Sequence, residues 1–327
     1  MLHFCPTRLL SKFSYHLGVC IRRAAFRRFE SLVIAFPVFL TYVINIHERY
    51  EDLLRYNSFR RARRVREELG HGFVFAVHGK NPCHTFDIFN PSQQAKWRKE
   101  HGNTILDFGA GHLTETNILN AAGFDCTPFE PYHIGVSEID KGKSLGISKK
   151  FLEVVASGKE FTSVFISSVL NSVPFAKDRE HIVCICATLC RPFTKLYACA
   201  SSTSETGYRQ VNGKAFHNES NAGNIAFRLE YESGIRIGDF QDKPKVQKYH
   251  TKKEFYDLFY QFFRDVKILE MSGNVCAKCE NVRRIPWERI EEALRFEFDL
   301  PYPDGSRMGL VEEAITAFKR RYEGIAV

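Results

Sequence analysis

The sequence predicts an α/β fold: an open sheet with helices on both faces, closed by a terminal antiparallel hairpin, with helical additions at both ends. Three observations carry that prediction. A short apolar run, Thr104-Ile-Leu106, leads into the tight turn Asp107-Phe-Gly-Ala-Gly111 and then into a helical pattern through Ala122. About one strand later, Phe124-Asp-Cys-Thr-Pro-Phe-Glu-Pro131 reads as a second strand that ends on the carboxylate of Glu130. Far downstream, an amphipathic aromatic helix from Lys252 to Phe263 precedes two strands, Val266–Gly273 and Asn274–Asn281, which meet about a Ser-Gly-Asn turn.

The composition agrees with a folded globular chain. At 327 residues, 44% hydrophobic and 26% charged, it can bury a large core and is not disordered. The formal charge of +8 is modest and unevenly placed, so its location matters more than its size. Ten cysteines are scattered rather than paired by spacing, which fits a reducing, cytoplasmic compartment and not a disulfide framework.

In chain order, residues 1–72 read as a basic, partly apolar helical region. The first 29 residues carry Arg8, Lys12, Arg22, Arg23, Arg27 and Arg28 and no acid. The run Ser31–Ile46 that follows is apolar but short, and Pro37 breaks it. A spanning helix needs about 20 apolar residues. Residues 1–46 therefore allow a helix packed on the main domain, a peripheral membrane contact or a targeting leader. Residues 47–70 form a helical pattern in which Arg60, Arg61, Arg63, Arg64 and Arg66 cover most of the circumference. Such a helix contacts the phosphates of nucleic acid or anionic lipid, or simply pairs in solvent with Glu51, Asp52, Glu67 and Glu68. Residues 73–99 are a linker holding a short strand, Phe73–Val77, and a brief helix around Trp97.

The main domain runs from 100 to 284. Two glycines one residue apart, Gly109 and Gly111, let the backbone turn sharply and let a ligand approach without a Cβ in the way. With the helix that follows and the acid on the second strand, this stretch resembles the nucleotide-binding half of the Rossmann-like S-adenosylmethionine-dependent methyltransferases. The resemblance covers about 100 to 282. It implies that Asp107, Gly109, Ala110 and Gly111 lie under the methionine part of the cofactor and that Glu130 holds its ribose. Leu113 departs from the pattern, standing where a third glycine is common. Dinucleotide-binding folds depend more on that glycine, so the departure counts against a dehydrogenase.

After Glu130 no third strand is legible, and Phe151–Ala156 reads as helix or strand. The β-branched run Thr162–Asn171 is the fourth strand by the family's order, followed by a helix from Asp178 to about Cys190. Ligands bind at the carboxyl ends of parallel strands, which places Asn171 and Ser172 in the site as the candidate catalytic residues. Asn171-Ser-Val-Pro-Phe175 only partly matches the Asn-Pro-Pro-Tyr loop of amino-methylating DNA enzymes, because the first proline is missing. Lys195–Ala200 is the next strand. The insertion 201–249, with a hairpin over 226–238, is expected to form a substrate lid. Tyr208, Arg209, His217, Arg228 and Arg236 are its candidate contacts. Cys276 and Cys279, three apart on one strand, face opposite sides, and Cys184, Cys186 and Cys190 are expected in the core; no metal site is expected. Residues 285–327 form a helical extension: a helix at Trp287–Leu294, a turn at Leu300–Arg307 whose loop Tyr302–Arg307 could serve as a substrate element, and a helix over Leu310–Tyr322.

The reading that follows is a methyltransferase using S-adenosyl-L-methionine. The arginine helix favours nucleic acid as acceptor, while a small molecule or a membrane-associated lipid fits the lid and the apolar segment. A catalytically silent Rossmann-like binding module and a nucleotide-dependent oxidoreductase are the rivals.

Overall fold

The structure is a computed structural model that describes residues 86–133, 139–173, 176–204, 227–228, 234–238, 245–271, 273–300, 302 and 306–323. The expectations for 1–72, the strand Phe73–Val77, and the lid residues Tyr208, Arg209 and His217 fall outside them. All described residues belong to the unit Arg55–Val327.

A 3-10 turn, Asp87–Phe89, leads into helix α1, Pro91–His101. Asn90 caps α1 by accepting the Ser92 N–H at 3.1 Å, and proline fills the first helical position. Strand β1 is Thr104–Phe108, helix α2 is Thr114–Ala121 and strand β2 is Asp125–Phe129. The region that read poorly in the sequence becomes helix α3, Lys141–Ala156, capped by the Asp140 carboxylate on the Lys143 N–H at 2.9 Å. No strand is described between β2 and α3, and the Thr162 run forms the third described strand of the sheet, beside β1. That strand, β3, spans only Ser163–Ser167. Ser168 takes a φ of 58°, which ends extended pairing, and Leu170–Ser172 forms a 3-10 turn. The expected strand to Asn171 therefore overshoots the observed end at Ser167.

Helix α4 covers Ala176–Thr188 and strand β4 Lys195–Ser201. The insertion holds a small antiparallel sheet of β5 (Phe227–Arg228), β6 (Ile235–Gly238) and β7 (Lys245–Lys248), the expected hairpin plus one strand. Helix α5, Lys252–Tyr260, opens with a capping box between Thr251 and Glu254. It ends before the Phe263 that the sequence pattern suggests, because Phe263 already starts strand β8, Phe263–Met271, which pairs with β9, Asn274–Val282. Helices α6, Trp287–Glu297, and α7, Val311–Glu323, complete the described chain.

The main sheet has the order β2-β1-β3-β4-β9-β8. The first four strands are parallel, and β9 runs antiparallel to both of its neighbours, β4 and β8. Period-2 alternation divides the strands between two cores. Ile105, Phe165, Tyr197 and Cys276 pack with Trp97 of α1 and Leu119 of α2 on one face. Leu106, Val164, Ala198 and Cys279 face the larger core built with α3 to α7. Cys276 and Cys279 thus do point to opposite sides, and Cys184, Cys186 and Cys190 are buried. Arg321, itself buried, fastens α7 by donating to the Lys159 carbonyl at 2.6 Å and the Leu189 carbonyl at 2.9 Å. This is a Rossmann-like α/β sheet closed by an antiparallel hairpin. Because β1 is flanked by β2 on one side and β3 on the other, the chain reverses its direction of winding between β1 and β3. A crevice opens outside the carboxyl ends of the strands at such a reversal. Among the described residues no helix is long and apolar enough to cross a membrane.

Candidate functional site

The crevice is present where the topology puts it. It is lined by Asp107, Gly109 to His112, Thr114 and Glu115 on the β1 side and by Ser167 to Val169 on the β3 side.

The glycine turn owes its shape to contacts across the switch point. Gly109 has a φ of 80°, and a Cβ there would stand 2.3 Å from Cγ2 of Val169. Only glycine meets both demands at once, the left-handed backbone and the close approach of the β3 loop. Leu113 also sits in the left-handed region, at φ 62° and ψ 20°. The departure noted in the sequence is thus a leucine held in a conformation that glycine adopts more readily, at a cost of about 1–2 kcal/mol.

The turn's own amides are spent within the chain. The N–H groups of Gly109 and Ala110 both donate to the Phe129 carbonyl, at 2.8 and 3.0 Å. The Gly111 N–H donates to Oε2 of Glu130 at 2.6 Å, and Oε1 of the same carboxylate accepts the Tyr132 N–H at 2.7 Å. His133 closes the other side, with Nδ1 3.1 Å from the Gly111 carbonyl oxygen. A carbonyl only accepts, so Nδ1 carries the proton. Burial, then the nearby Lys143, lowers the His133 pKa, which keeps the imidazole neutral. On the strand side, the buried Asp107 carboxylate accepts the Thr116 hydroxyl at 2.7 Å, which ties β1 to α2.

The expected site residues divide into two groups. Asp107, Gly109, Ala110 and Gly111 come together and line the crevice. Glu130 is fully buried at 0% exposure and reaches the crevice only through Gly111. Asn171 and Ser172 are buried in the 3-10 turn and are not among the lining residues. Asn171 instead joins the ends of β3 and β4: its Oδ1 accepts the Ser201 N–H at 2.9 Å and its Nδ2 donates to Ser201 Oγ at 3.2 Å. The residues of the β3 end that do line the crevice are Ser167, Ser168 and Val169. Sequence reasoning missed them because the β-branched pattern continues past the true strand end. It also missed Thr114 and Glu115, although the first turn of a helix after a glycine turn is a legible signal.

Further along the carboxyl edge, β7 lies against the Leu170–Ser172 turn, so the small sheet of the insertion stands over this end of the main sheet. His250 is buried there, with its N–H bonded to the Ser201 carbonyl at 2.8 Å and its ring against Phe255. Burial, then Arg179 and Lys248, pushes its pKa well down. Tyr302 is buried with its ring edge-on to Tyr132, and Lys141 Nζ donates to Ser306 Oγ at 2.5 Å. Among the described residues, no group of three or more His, Cys, Asp or Glu side chains converges as a metal site.

No protein-family profile matches the chain, and no curated protein matches it. Solved structures do resemble it. A S-adenosylmethionine-dependent methyltransferase from Methanosarcina mazei is 17% identical, with 55% of this chain and 92% of that one covered and a TM-score of 0.35. DesVI of Streptomyces venezuelae is 14% identical, covering 64% of this chain and 97% of its own, with a TM-score of 0.37. The glycopeptide N-methyltransferase MtfA in complex with S-adenosyl-L-methionine is 12% identical, covering 58% and 93%, with a TM-score of 0.32. At these scores the likeness carries no argument, and the functional reading rests on the chain's own geometry.

Proposed function

We propose that the crevice binds S-adenosyl-L-methionine and that the chain is a methyltransferase. One observation supports this above the others. The crevice is lined by the acids Asp107 and Glu115 and, among its described lining residues, by no lysine or arginine. The turn beside it has already spent the Gly109, Ala110 and Gly111 amides internally. A dinucleotide site needs such amides for its pyrophosphate, so this surface suits a ligand that is cationic where it meets the turn. S-adenosyl-L-methionine is such a ligand, with an ammonium and a sulfonium, and its chemistry is an electrophilic methyl group.

Asp107, Gly109, Ala110 and Gly111 would hold the methionine part, and Glu115 would add negative charge from the first turn of α2. Asp107 is oriented for this by Thr116. Ser167, Ser168 and Val169 form the wall toward β4, the side from which an acceptor would enter beneath the insertion. Methyl transfer of this kind needs mainly alignment and exclusion of water. Alignment would come from the preformed turn and the packed Val169, and β7, which lies against the Leu170–Ser172 turn, would help to exclude water. Nucleic acid as acceptor rests on the Arg60–Arg66 run, and steep salt dependence of its binding would support it.

The test is isothermal titration of S-adenosyl-L-methionine, S-adenosyl-L-homocysteine and NAD into the full chain and into Glu115→Gln. The expected result is micromolar affinity for the first two and none for NAD. Glu115→Gln should weaken both methyl-cycle ligands, which share the ammonium, by up to about fivefold, since a single charge is worth about 1 kcal/mol at a partly exposed site. NAD binding with no response to the methyl-cycle ligands would overturn the reading in favour of an oxidoreductase.

A further inference from the structure

The Glu130 carboxylate has a position that the ribose-holding role does not require. Both of its oxygens take backbone amides, Gly111 at 2.6 Å and Tyr132 at 2.7 Å, and the group is fully buried. These are short, charge-assisted bonds, about twice as strong as neutral ones. The amide of the last turn glycine is the kind of donor that phosphate-binding turns offer to their ligand. Here an internal anion already occupies it. His133 braces the opposite end of the same residue by donating to the Gly111 carbonyl, so Gly111 is held on both sides.

We propose that Glu130 is a specificity-determining residue: its carboxylate fills the anion position of the glycine turn and thereby excludes phosphate-bearing ligands from the crevice. Discrimination is then built from repulsion and lost donors as much as from attraction to the right ligand. A pyrophosphate brought to the turn would meet no open Gly111 amide and would face the negative charges of Glu130, Asp107 and Glu115. The inference rests on the crevice being the ligand site, but not on which ligand it takes.

Two variants test it. Glu130→Ala removes the charge and both acceptors. Glu130→Gln keeps the volume but offers one acceptor oxygen in place of two, so one of the two amides is opened while the turn stays supported. Thermal unfolding of the full chain is followed with inorganic pyrophosphate, ADP and S-adenosyl-L-methionine, because a ligand that binds only the folded state raises the melting temperature. The expected result is no shift of the wild type by pyrophosphate or ADP, and a shift of either variant that corresponds to at least a tenfold gain in affinity. A wild type that pyrophosphate stabilises as much as the variants overturns the proposal, as do two cooperatively melting variants that gain nothing. If neither variant melts cooperatively, the wild type decides: a shift by pyrophosphate or ADP overturns exclusion, and silence beside a shift by S-adenosyl-L-methionine supports it. A wild type silent to S-adenosyl-L-methionine refutes the cofactor reading while leaving the pyrophosphate comparison intact.

Discussion

Replacing Gly109 by alanine should destabilise the protein measurably. Two terms contribute. The backbone at φ 80° costs a β-carbon residue about 1–2 kcal/mol. The new methyl would also lie 2.3 Å from Val169 Cγ2, so the valine or the whole β3 loop must retreat by more than about 1 Å, roughly the 1–3 kcal/mol of an overpacked core. The sum is about 2–5 kcal/mol, or about 5–15 °C in melting temperature for an ordered unit of this size. The assay is urea denaturation of Gly109→Ala, Val169→Ala and the double variant. Once Val169→Ala has removed both γ-methyls, the nearest atom left at that side chain is Cβ at 3.4 Å, an ordinary contact. The steric term should then vanish while the backbone term remains, giving a coupling of about 1–3 kcal/mol. A cost below about 0.5 kcal/mol, or a cost unchanged by Val169→Ala, would refute the account of the turn given above.

Asn171→Ala should lower stability by about 2–3 kcal/mol, because it strips two bonds and leaves the buried Ser201 amide unsatisfied. Cofactor affinity of the folded fraction should change less than about threefold, and a wild-type melting curve with lost turnover would return Asn171 to a chemical role. Glu297 is buried, and among the described residues it has no cationic partner; burial, then Asp178 and Glu130, pushes its carboxyl up to about 8. The folded state therefore binds more protons than the unfolded state between pH 4.5 and 8, so stability falls as pH rises through that window. Glu297→Gln, which mimics the protonated acid, should flatten that decline in melting temperature; an unchanged slope would refute it. His250 has the opposite sign of linkage: its pKa is depressed, so the unfolded state takes up protons first and stability is lost as pH falls below 6.5. His250→Gln should reduce the loss between about pH 6.5 and 5 in the same melting series.

Much of the frame was legible because it follows from local pattern. The strand–turn–helix from Thr104 to Ala121, the second strand and the terminal hairpin follow from short strand-forming runs and from glycines that the turns demand. Opposite facing of Cys276 and Cys279 needs nothing beyond strand geometry. Helix α3 was harder to read, since its start depends on the Asp140 cap and its face on contacts with α7 far along the chain.

The site divides along the same line. The residue types at 107 to 111 and the need for glycine at 109 are written in the sequence, because a tight turn after a buried strand restricts the backbone whatever surrounds it. Where β3 ends was decided by tertiary structure: Ser168 turns left-handed as its N–H reaches the Cys199 carbonyl at 2.9 Å and Val169 closes on Gly109, moving the lining from Asn171 to Ser167–Val169. Read without the fold, Glu130 is an open carboxylate at a strand end. Only the assembled sheet brings Gly111, nineteen residues earlier, within 2.6 Å of it and turns that carboxylate inward. Local pattern determines which backbone shapes a segment can take, whereas the partner of a buried charge is chosen by segments that meet only once the sheet is assembled.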